Sequence, residues 1–130
     1  MYSIPPPGSG SILAYILNIL QHFNYTPKDD VPLTYHQIAE AFKWAYAVRS
    51  KLGDPSDPEI KDLVQELVKN MTSPEWGLEA FKKIDNDKTF NDAAYYGGEF
   101  FNKEDHGTAH VSVLAPNGDA VSVTSTVNLQ

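Results

Sequence analysis

The sequence predicts an α+β fold in which about four helices are followed by a long loop and a C-terminal β-hairpin. Three observations support this prediction. Apolar residues recur at helical spacing up to Ile84, the periodicity is lost between residues 85 and 107, and apolar and hydroxyl-bearing side chains then alternate strictly. Helical spacing is typical of amphipathic helices, whereas strict alternation is typical of a half-buried strand.

The first helix is expected directly after the proline- and glycine-rich stretch "IPPPGSGS". Its apolar residues cover most of the helix circumference, which predicts a buried helix. They are Ile12, Leu13, Ile16, Leu17, Ile19, Leu20 and Phe23.

The second helix is predicted to begin at Thr34, because "TYHQ" has the form of a capping box. It continues towards Leu52 through Ile38, Phe42, Ala45 and Tyr46. Asp57 as N-cap and Pro58 at the first helical position predict a third helix with one apolar stripe. Ser73-Pro74 predicts a fourth, shorter helix that ends near Ile84.

The register of the hairpin follows from its turn. A two-residue loop at Asn117-Gly118 would set valines against hydroxyl-bearing residues, whereas a three-residue loop, Pro116-Asn117-Gly118, pairs valine with valine. The longer loop therefore predicts one apolar face and one hydroxyl-rich face. The second face carries Thr108 opposite Thr126, His110 opposite Thr124 and Ser112 opposite Ser122, with Asn128 two residues beyond Thr126. Because a lone hairpin is marginal in water, we expect the chain to be part of a larger domain.

Composition excludes several classes of protein. A net charge of −7 without a basic run makes nucleic-acid binding unfavourable. Without cysteine, and with four scattered histidines, the chain predicts no structural metal site. The longest apolar run, residues 12–20, is too short to span a bilayer.

Asn24 and Asn70 begin sequons and are candidate glycosylation sites, although such tripeptides also arise by chance.

Thr108 stands where the charged loop meets the first strand, and its residue type supports two interpretations. It is either a good strand residue on a solvated face or a nucleophile that cuts the chain before itself. Gly107 has no Cβ to obstruct attack on its carbonyl, and the loop before it could leave after cleavage. The α-amine freed on Thr108, with an ordinary pKa of about 7.7–8.0, could then serve as base to its own hydroxyl.

The stretch "DHGTAHVSVLAPNGDAVSVTSTVN" resembles the processing site of the γ-glutamyltransferases, or glutathione hydrolases, of the animal type. The resemblance extends back through "LTYHQIAEAFKWAYAVRSKLGDP", "VKNMTS" and "PPPGSGSILAYILNIL". It implies a fragment of an N-terminal-nucleophile hydrolase, an αββα sandwich of two stacked sheets between helical layers. It also implies a precursor that cuts itself between Gly107 and Thr108. Residues 1–107, ending in a mobile loop over 85–107, would then belong to the large subunit, and residues 108–130 would begin the small subunit.

By the same resemblance, Thr108 is the catalytic nucleophile, Thr126 orients it, and Asn128 contacts the α-amino end of the γ-glutamyl group. His110 fits a hydrogen-bonded strand histidine as well as a catalytic one, and we assign it no role as a base. The expected substrates are glutathione and its γ-glutamyl conjugates, with water, amino acids or dipeptides as acceptors and no cofactor. The two subunits would form a heterodimer on the extracellular face of the plasma membrane.

The family's remaining pocket residues, which clamp the substrate and form the oxyanion hole, have no counterpart in these 130 residues. The isolated chain is therefore expected to be inactive. Two alternatives are an uncleaved, non-enzymatic homologue that serves binding or assembly, and an amidohydrolase of the same fold that acts on other acyl groups.

Overall fold

The computed structural model describes residues 2–26, 28, 30–99 and 107–126. Four helices, one short 3₁₀ helix and one antiparallel hairpin follow each other along the chain, which confirms the predicted α+β class. Their bounds are α1 Gly10–Leu20, α2 Val31–Arg49, α3 Lys61–Met71, α4 Pro74–Phe81, the 3₁₀ helix Ala93–Tyr96, β1 Ala109–Leu114 and β2 Ala120–Ser125. No helix in the described ranges has the length and apolar character needed to cross a membrane.

Helix α1 lies at the centre of the helical part and contacts α2, α3 and α4. Ile19 of α1 and Met71 of α3 are completely buried, and burial of one such side chain contributes about 1.5–3 kcal/mol. The expectation of a buried helix is met only in part by α1, because Ile12, Ile16 and Ile19 are buried but Leu13 and Leu17 are exposed. In the described part of the chain, therefore, only one side of α1 packs into the core.

Helix α2 begins at Val31, three residues before the predicted start at Thr34. Pro32 stands in its first turn, where a missing N–H costs no hydrogen bond. The Thr34 hydroxyl does not cap the helix; it donates to the carbonyl of Asp30 at 3.0 Å.

The apolar residues that the sequence places along α2 are only partly in the core. Phe42 and Tyr46 are exposed, whereas the polar residues Gln37 and Glu40 are buried. The buried polar side chains bind the segment that follows α4, as described below.

Helix α3 begins at Lys61 rather than at Pro58. The reason is that Asp57 caps a separate turn: its carboxylate accepts the N–H of Glu59 at 2.9 Å, and its carbonyl accepts the N–H of Lys61 at 3.0 Å. The predicted apolar stripe is nevertheless present, and its buried members are Val64, Leu67 and Met71.

Helix α4 begins where the sequence predicts. The hydroxyl of Ser73 accepts the N–H of Trp76 at 3.2 Å, so Ser73 is the N-cap, and Pro74 follows it. Gly77 then allows α4 to lie directly against α1, because a Cβ at this position would stand 2.6 Å from the carbonyl oxygen of Asn18.

The hairpin has the predicted register. Val111 pairs with Val123 and Ser112 with Ser122 across the two strands. Gly118 has the left-handed φ of 92° that the three-residue loop requires. Every residue of both strands is exposed, and the four paired valines keep 50–59% of their surface accessible: Val111, Val113, Val121 and Val123.

Substituting Gly77 with Ala is expected to destabilise the full-length protein. An added Cβ must push the backbone of α4 away from that of α1, which costs about 1–3 kcal/mol. The gain in helix propensity, about 1 kcal/mol, does not offset this. Thermal unfolding measures the loss. Gly53→Ala is the control, because its Cβ would meet only the flexible end of Ile60; equal melting temperatures for the two variants would contradict the prediction.

Candidate active site

The two ends of the hairpin meet at the predicted cleavage junction. Thr108 immediately precedes β1 and Thr126 immediately follows β2, one position beyond the Ala109–Ser125 pair. The Thr126 hydroxyl donates to the carbonyl oxygen of Gly107 at 3.1 Å. A hydroxyl donor thus contacts the carbonyl that Thr108 would attack, and Gly107, Thr108 and Thr126 are all exposed.

The backbone of Gly107 adopts a φ of 79°. This is the left-handed region, which L side chains rarely occupy and which glycine enters without strain. The structure therefore gives a backbone reason for glycine before Thr108, in addition to the open access to its carbonyl. A side chain at this position would have free space around it, but the backbone would be strained.

A hydrogen-bond network crosses the hydroxyl-rich face of the hairpin. His110 Nδ1 lies 2.7 Å from Thr124 Oγ1, and its Nε2 lies 3.0 Å from both Ser112 Oγ and Ser122 Oγ. The two serine hydroxyls are 2.9 Å apart. Both imidazole nitrogens thus have hydroxyl partners on neighbouring strand positions, the contacts of a hydrogen-bonded strand histidine.

The remaining residues predicted from sequence are Asn128, Asn24 and Asn70. Asn128 lies outside the described residues. Asn24 is exposed just after α1, whereas Asn70 is half-buried on α3, so Asn24 offers the more accessible sequon. Within residues 2–26, 28, 30–99 and 107–126, no three His, Asp or Glu side chains cluster closely enough to hold a metal ion.

Sequence reasoning missed a structured segment that leads towards the junction. Residues 85–99, here called the strap, follow α2 from its N-terminal to its C-terminal end. His36 Nε2 lies 2.8 Å from the carbonyl oxygen of Asp85 at one end, and Lys51 forms a 2.9 Å ion pair with Glu99 at the other. The strap is part of the predicted long loop, and it contains the 3₁₀ helix, which the sequence did not predict. Residues 100–106 lie outside the described residues.

The strap is held at its middle by a buried carboxylate. Glu40 of α2 is 2% exposed and accepts three hydrogen bonds, from Thr89 Oγ1 at 2.6 Å, Tyr96 Oη at 2.8 Å and Lys43 Nζ at 2.9 Å. Lys43 also donates to the carbonyl oxygen of Phe90 at 3.2 Å. The Glu40 side chain therefore binds two strap residues, Thr89 and Tyr96, that are seven positions apart.

The ionisation of Glu40 follows from these contacts. Burial by itself raises the pKa of this carboxyl group, but the hydrogen bonds from Thr89, Lys43 and Tyr96 and the charge of Lys43 outweigh burial, so the pKa lies below its ordinary value. For Lys43, burial is again outweighed, by the hydrogen bonds and charge interactions with Glu40 and Tyr96, and its pKa is raised. Glu40 is thus a carboxylate and Lys43 an ammonium ion at neutral pH.

Comparison with known proteins identifies the family. The gamma-glutamyltranspeptidase family matches residues 1–130, the whole chain. The chain belongs to the gamma-glutamyltranspeptidases. Over 98% of its length it is 41% identical to Glutathione hydrolase 2 of Arabidopsis thaliana, 40% identical to Scoloptoxin SSD14 of Scolopendra dehaani and 34% identical to human Glutathione hydrolase 5 proenzyme. It spans 22% of the length of each of these relatives.

The family match confirms the resemblance seen in the sequence. The helices and the hairpin described above form an α+β fragment of a gamma-glutamyltranspeptidase. The junction at Gly107 and Thr108 therefore lies within a matched region rather than at its edge, since the match continues on both sides of it.

The pH dependence of stability tests the Glu40 network in this gamma-glutamyltranspeptidase. Because the folded-state pKa is lowered, the stabilisation is fully present above the unfolded-state value of about 4.3 and is lost as the pH falls through the folded-state pKa. At pH 7, Glu40→Gln is expected to lower the free energy of unfolding of the full-length protein by on the order of 3 kcal/mol. Urea unfolding at pH 7, 5 and 3 should show this difference shrinking below about pH 4; a constant difference would contradict the assignment.

Proposed function

We propose that this chain is the junction region of a self-cleaving γ-glutamyltransferase, or glutathione hydrolase, in which Thr108 becomes the N-terminal nucleophile. The single observation that supports this most directly is the hydrogen bond from the Thr126 hydroxyl to the Gly107 carbonyl. Such a donor favours negative charge on the carbonyl oxygen when a nucleophile adds to the carbon. Several relatives are named glutathione hydrolases, and some of these are named proenzymes.

Self-cleavage would proceed in two balanced steps. Thr108 Oγ adds to the carbonyl carbon of Gly107, the C–N bond breaks, and the hydroxyl proton ends on the departing nitrogen, which becomes the free α-amine of Thr108. Water then hydrolyses the Gly107 ester, leaving a carboxylate on Gly107 and a hydroxyl on Thr108. Residues 1–107 and 108–130 would then belong to the large and small subunits of a heterodimer.

Turnover would repeat the same addition with a substrate carbonyl. Thr108 Oγ attacks the γ-glutamyl carbonyl of glutathione or a conjugate, the leaving amine takes a proton, and a γ-glutamyl ester forms. Cysteinylglycine is released from glutathione in this step. Water or the amine of an amino acid or dipeptide then resolves the ester. The freed α-amine of Thr108 acts as base, and no cofactor takes part.

The proposed roles of the other residues follow the family resemblance. Thr126 orients the nucleophile, and Asn128 contacts the α-amino end of the γ-glutamyl group. The clamp for the substrate and the oxyanion hole would come from elsewhere in the protein, so the isolated chain is inactive. The proposed location, the extracellular face of the plasma membrane, and any carbohydrate on Asn24 or Asn70 likewise follow from the resemblance and the sequons.

Thr108→Ala is expected to abolish self-cleavage, because the variant has no hydroxyl to attack Gly107. Intact mass and N-terminal sequencing of the full-length protein should give a new terminus at Thr108 in the wild type and a whole chain in the variant. Thr108→Ser is the control: it retains the hydroxyl and should still cleave.

A wild-type protein that folds yet stays whole would overturn the self-cleavage proposal and favour an uncleaved homologue that serves binding or assembly. A protein that cleaves but does not release cysteinylglycine from glutathione would instead favour an amidohydrolase with another acyl substrate.

Thr126→Val is expected to slow self-cleavage on the order of a hundredfold to a thousandfold, since it removes a donor to the Gly107 carbonyl while keeping the branched shape of the side chain. A time course of intact mass after synthesis measures the rate. Thr126→Ser retains the hydroxyl and should cleave much faster than the valine variant. Equal rates for valine and serine would rule out a role for the hydroxyl.

A further inference from the structure

His110 and Thr124 are the strand pair closest to the predicted cleavage junction on the hydroxyl-rich face of the hairpin. They stand opposite each other in the register, and the imidazole Nδ1 of His110 lies 2.7 Å from Thr124 Oγ1. We infer that His110 is a positioning residue: through Thr124 it fixes where Thr126 lies, and thereby supports both reactions of Thr108. This inference rests on the proposed function.

The two strands place this pair directly behind the two threonines of the junction. His110 is two positions after Thr108, and Thr124 is two positions before Thr126. Side chains two positions apart lie on the same face of a strand, about 6–7 Å apart along it. A relative shift of the two strands at the first pair therefore moves the two junction threonines relative to each other.

The contact at the junction joins the same two strands. Thr126 follows β2, and its hydroxyl donates to the carbonyl oxygen of Gly107, two residues before β1, at 3.1 Å. The connection from His110 to this carbonyl thus runs only through described residues of the hairpin. It crosses to Thr124 by one hydrogen bond and then follows β2 for two residues to Thr126.

A side-chain bond matters at this place because it lies at the open end of the hairpin. Strand pairing ends at Ala109 and Ser125, and every residue of both strands is exposed. Chain ends fray most easily, so the side-chain bond behind the last pair limits how far this end opens. Loss of one hydrogen bond changes an equilibrium about fivefold. A displacement of a reacting group by about 1 Å can cost on the order of a hundredfold in rate.

The imidazole ring is held from its far side by two serines. Nε2 of His110 lies 3.0 Å from both Ser112 Oγ and Ser122 Oγ. A neutral imidazole has one donor and one acceptor nitrogen, and a hydroxyl can take either role, so both tautomers fit this network. Nδ1 links the ring towards the junction, whereas Nε2 links it towards the turn. The two nitrogens can therefore be tested separately.

The first test replaces His110 with the two amides. The asparagine amide lies near the position of Nδ1, and the glutamine amide lies near that of Nε2. His110→Asn should keep the contact with Thr124 and cleave at about the wild-type rate, whereas His110→Gln should cleave about fivefold more slowly. Intact mass of the full-length protein after synchronised cell-free synthesis gives the rates. Equal rates for the two variants would contradict the inference.

The second test removes the partner on the other strand and does not alter the histidine. Thr124→Val keeps the branched shape of the side chain, and valine is a good strand residue, so slower cleavage would not come from a weaker strand. Cleavage should again be slowed about fivefold. Ser122→Ala is the matched control, because it removes a hydroxyl from the same network two positions farther from the junction, and Nε2 keeps Ser112. This variant should cleave at about the wild-type rate.

Turnover by the cleaved enzyme separates positioning from a general loss of structure. Thr126 would then orient Thr108 on the same hairpin, whereas the substrate clamp would come from elsewhere in the protein. His110→Gln and Thr124→Val should therefore lower kcat with glutathione, leave KM unchanged and melt at about the wild-type temperature. A raised KM at unchanged kcat would contradict the inference.

The remaining outcomes distinguish this inference from the proposed function. Wild-type cleavage by both His110→Gln and Thr124→Val would overturn the inference and leave the proposed function standing. Equal slowing by Ser122→Ala and Thr124→Val would also overturn it, because the network would then act only on the stability of the hairpin. A wild type that never cleaves would overturn the proposed function, and this inference with it.

Discussion

The burial of the Glu40 carboxylate is the constraint that fixes how α2 and the strap pack against each other. A buried charge is costly unless it is paired and hydrogen-bonded. Glu40 meets this condition only when Lys43, Thr89 and Tyr96 all reach it, so α2 and the strap must fold together. The face of α2 that carries Gln37 and Glu40 is therefore inside, and the one with Phe42 and Tyr46 is outside.

The geometry of the predicted cleavage junction depends on the hairpin. Valine pairing fixes the register, and the register brings Thr126 to the carbonyl of Gly107. If one strand slipped by one residue, its side chains would move to the opposite face of the sheet. Thr108 and Thr126 would then lie on different faces.

The sequence predicted those structural features that depend on interactions between residues close together in the chain, and it missed those that depend on distant ones. The hairpin and the cap at Ser73 follow from neighbouring residues, and the sequence predicted both. The start of α2 was misassigned because "TYHQ" fits a capping box, while Pro32 can equally occupy a first turn. The strap was missed because the partners of Glu40 are 49 and 56 positions away, and periodicity reports only local order.

Under the proposed function, the same two threonines serve two reactions, and the geometry gives a reason. Self-cleavage and transfer both begin with Thr108 Oγ adding to an acyl carbonyl, first that of Gly107 and later that of a γ-glutamyl group. In the intact chain the Thr126 hydroxyl donates to the first of these carbonyls. In the proposed mechanism, the Thr126 hydroxyl would lose this acceptor once Gly107 had left. Under the same mechanism, cleavage would therefore vacate the position at which a substrate carbonyl binds, and the intact junction would inhibit the site that it creates.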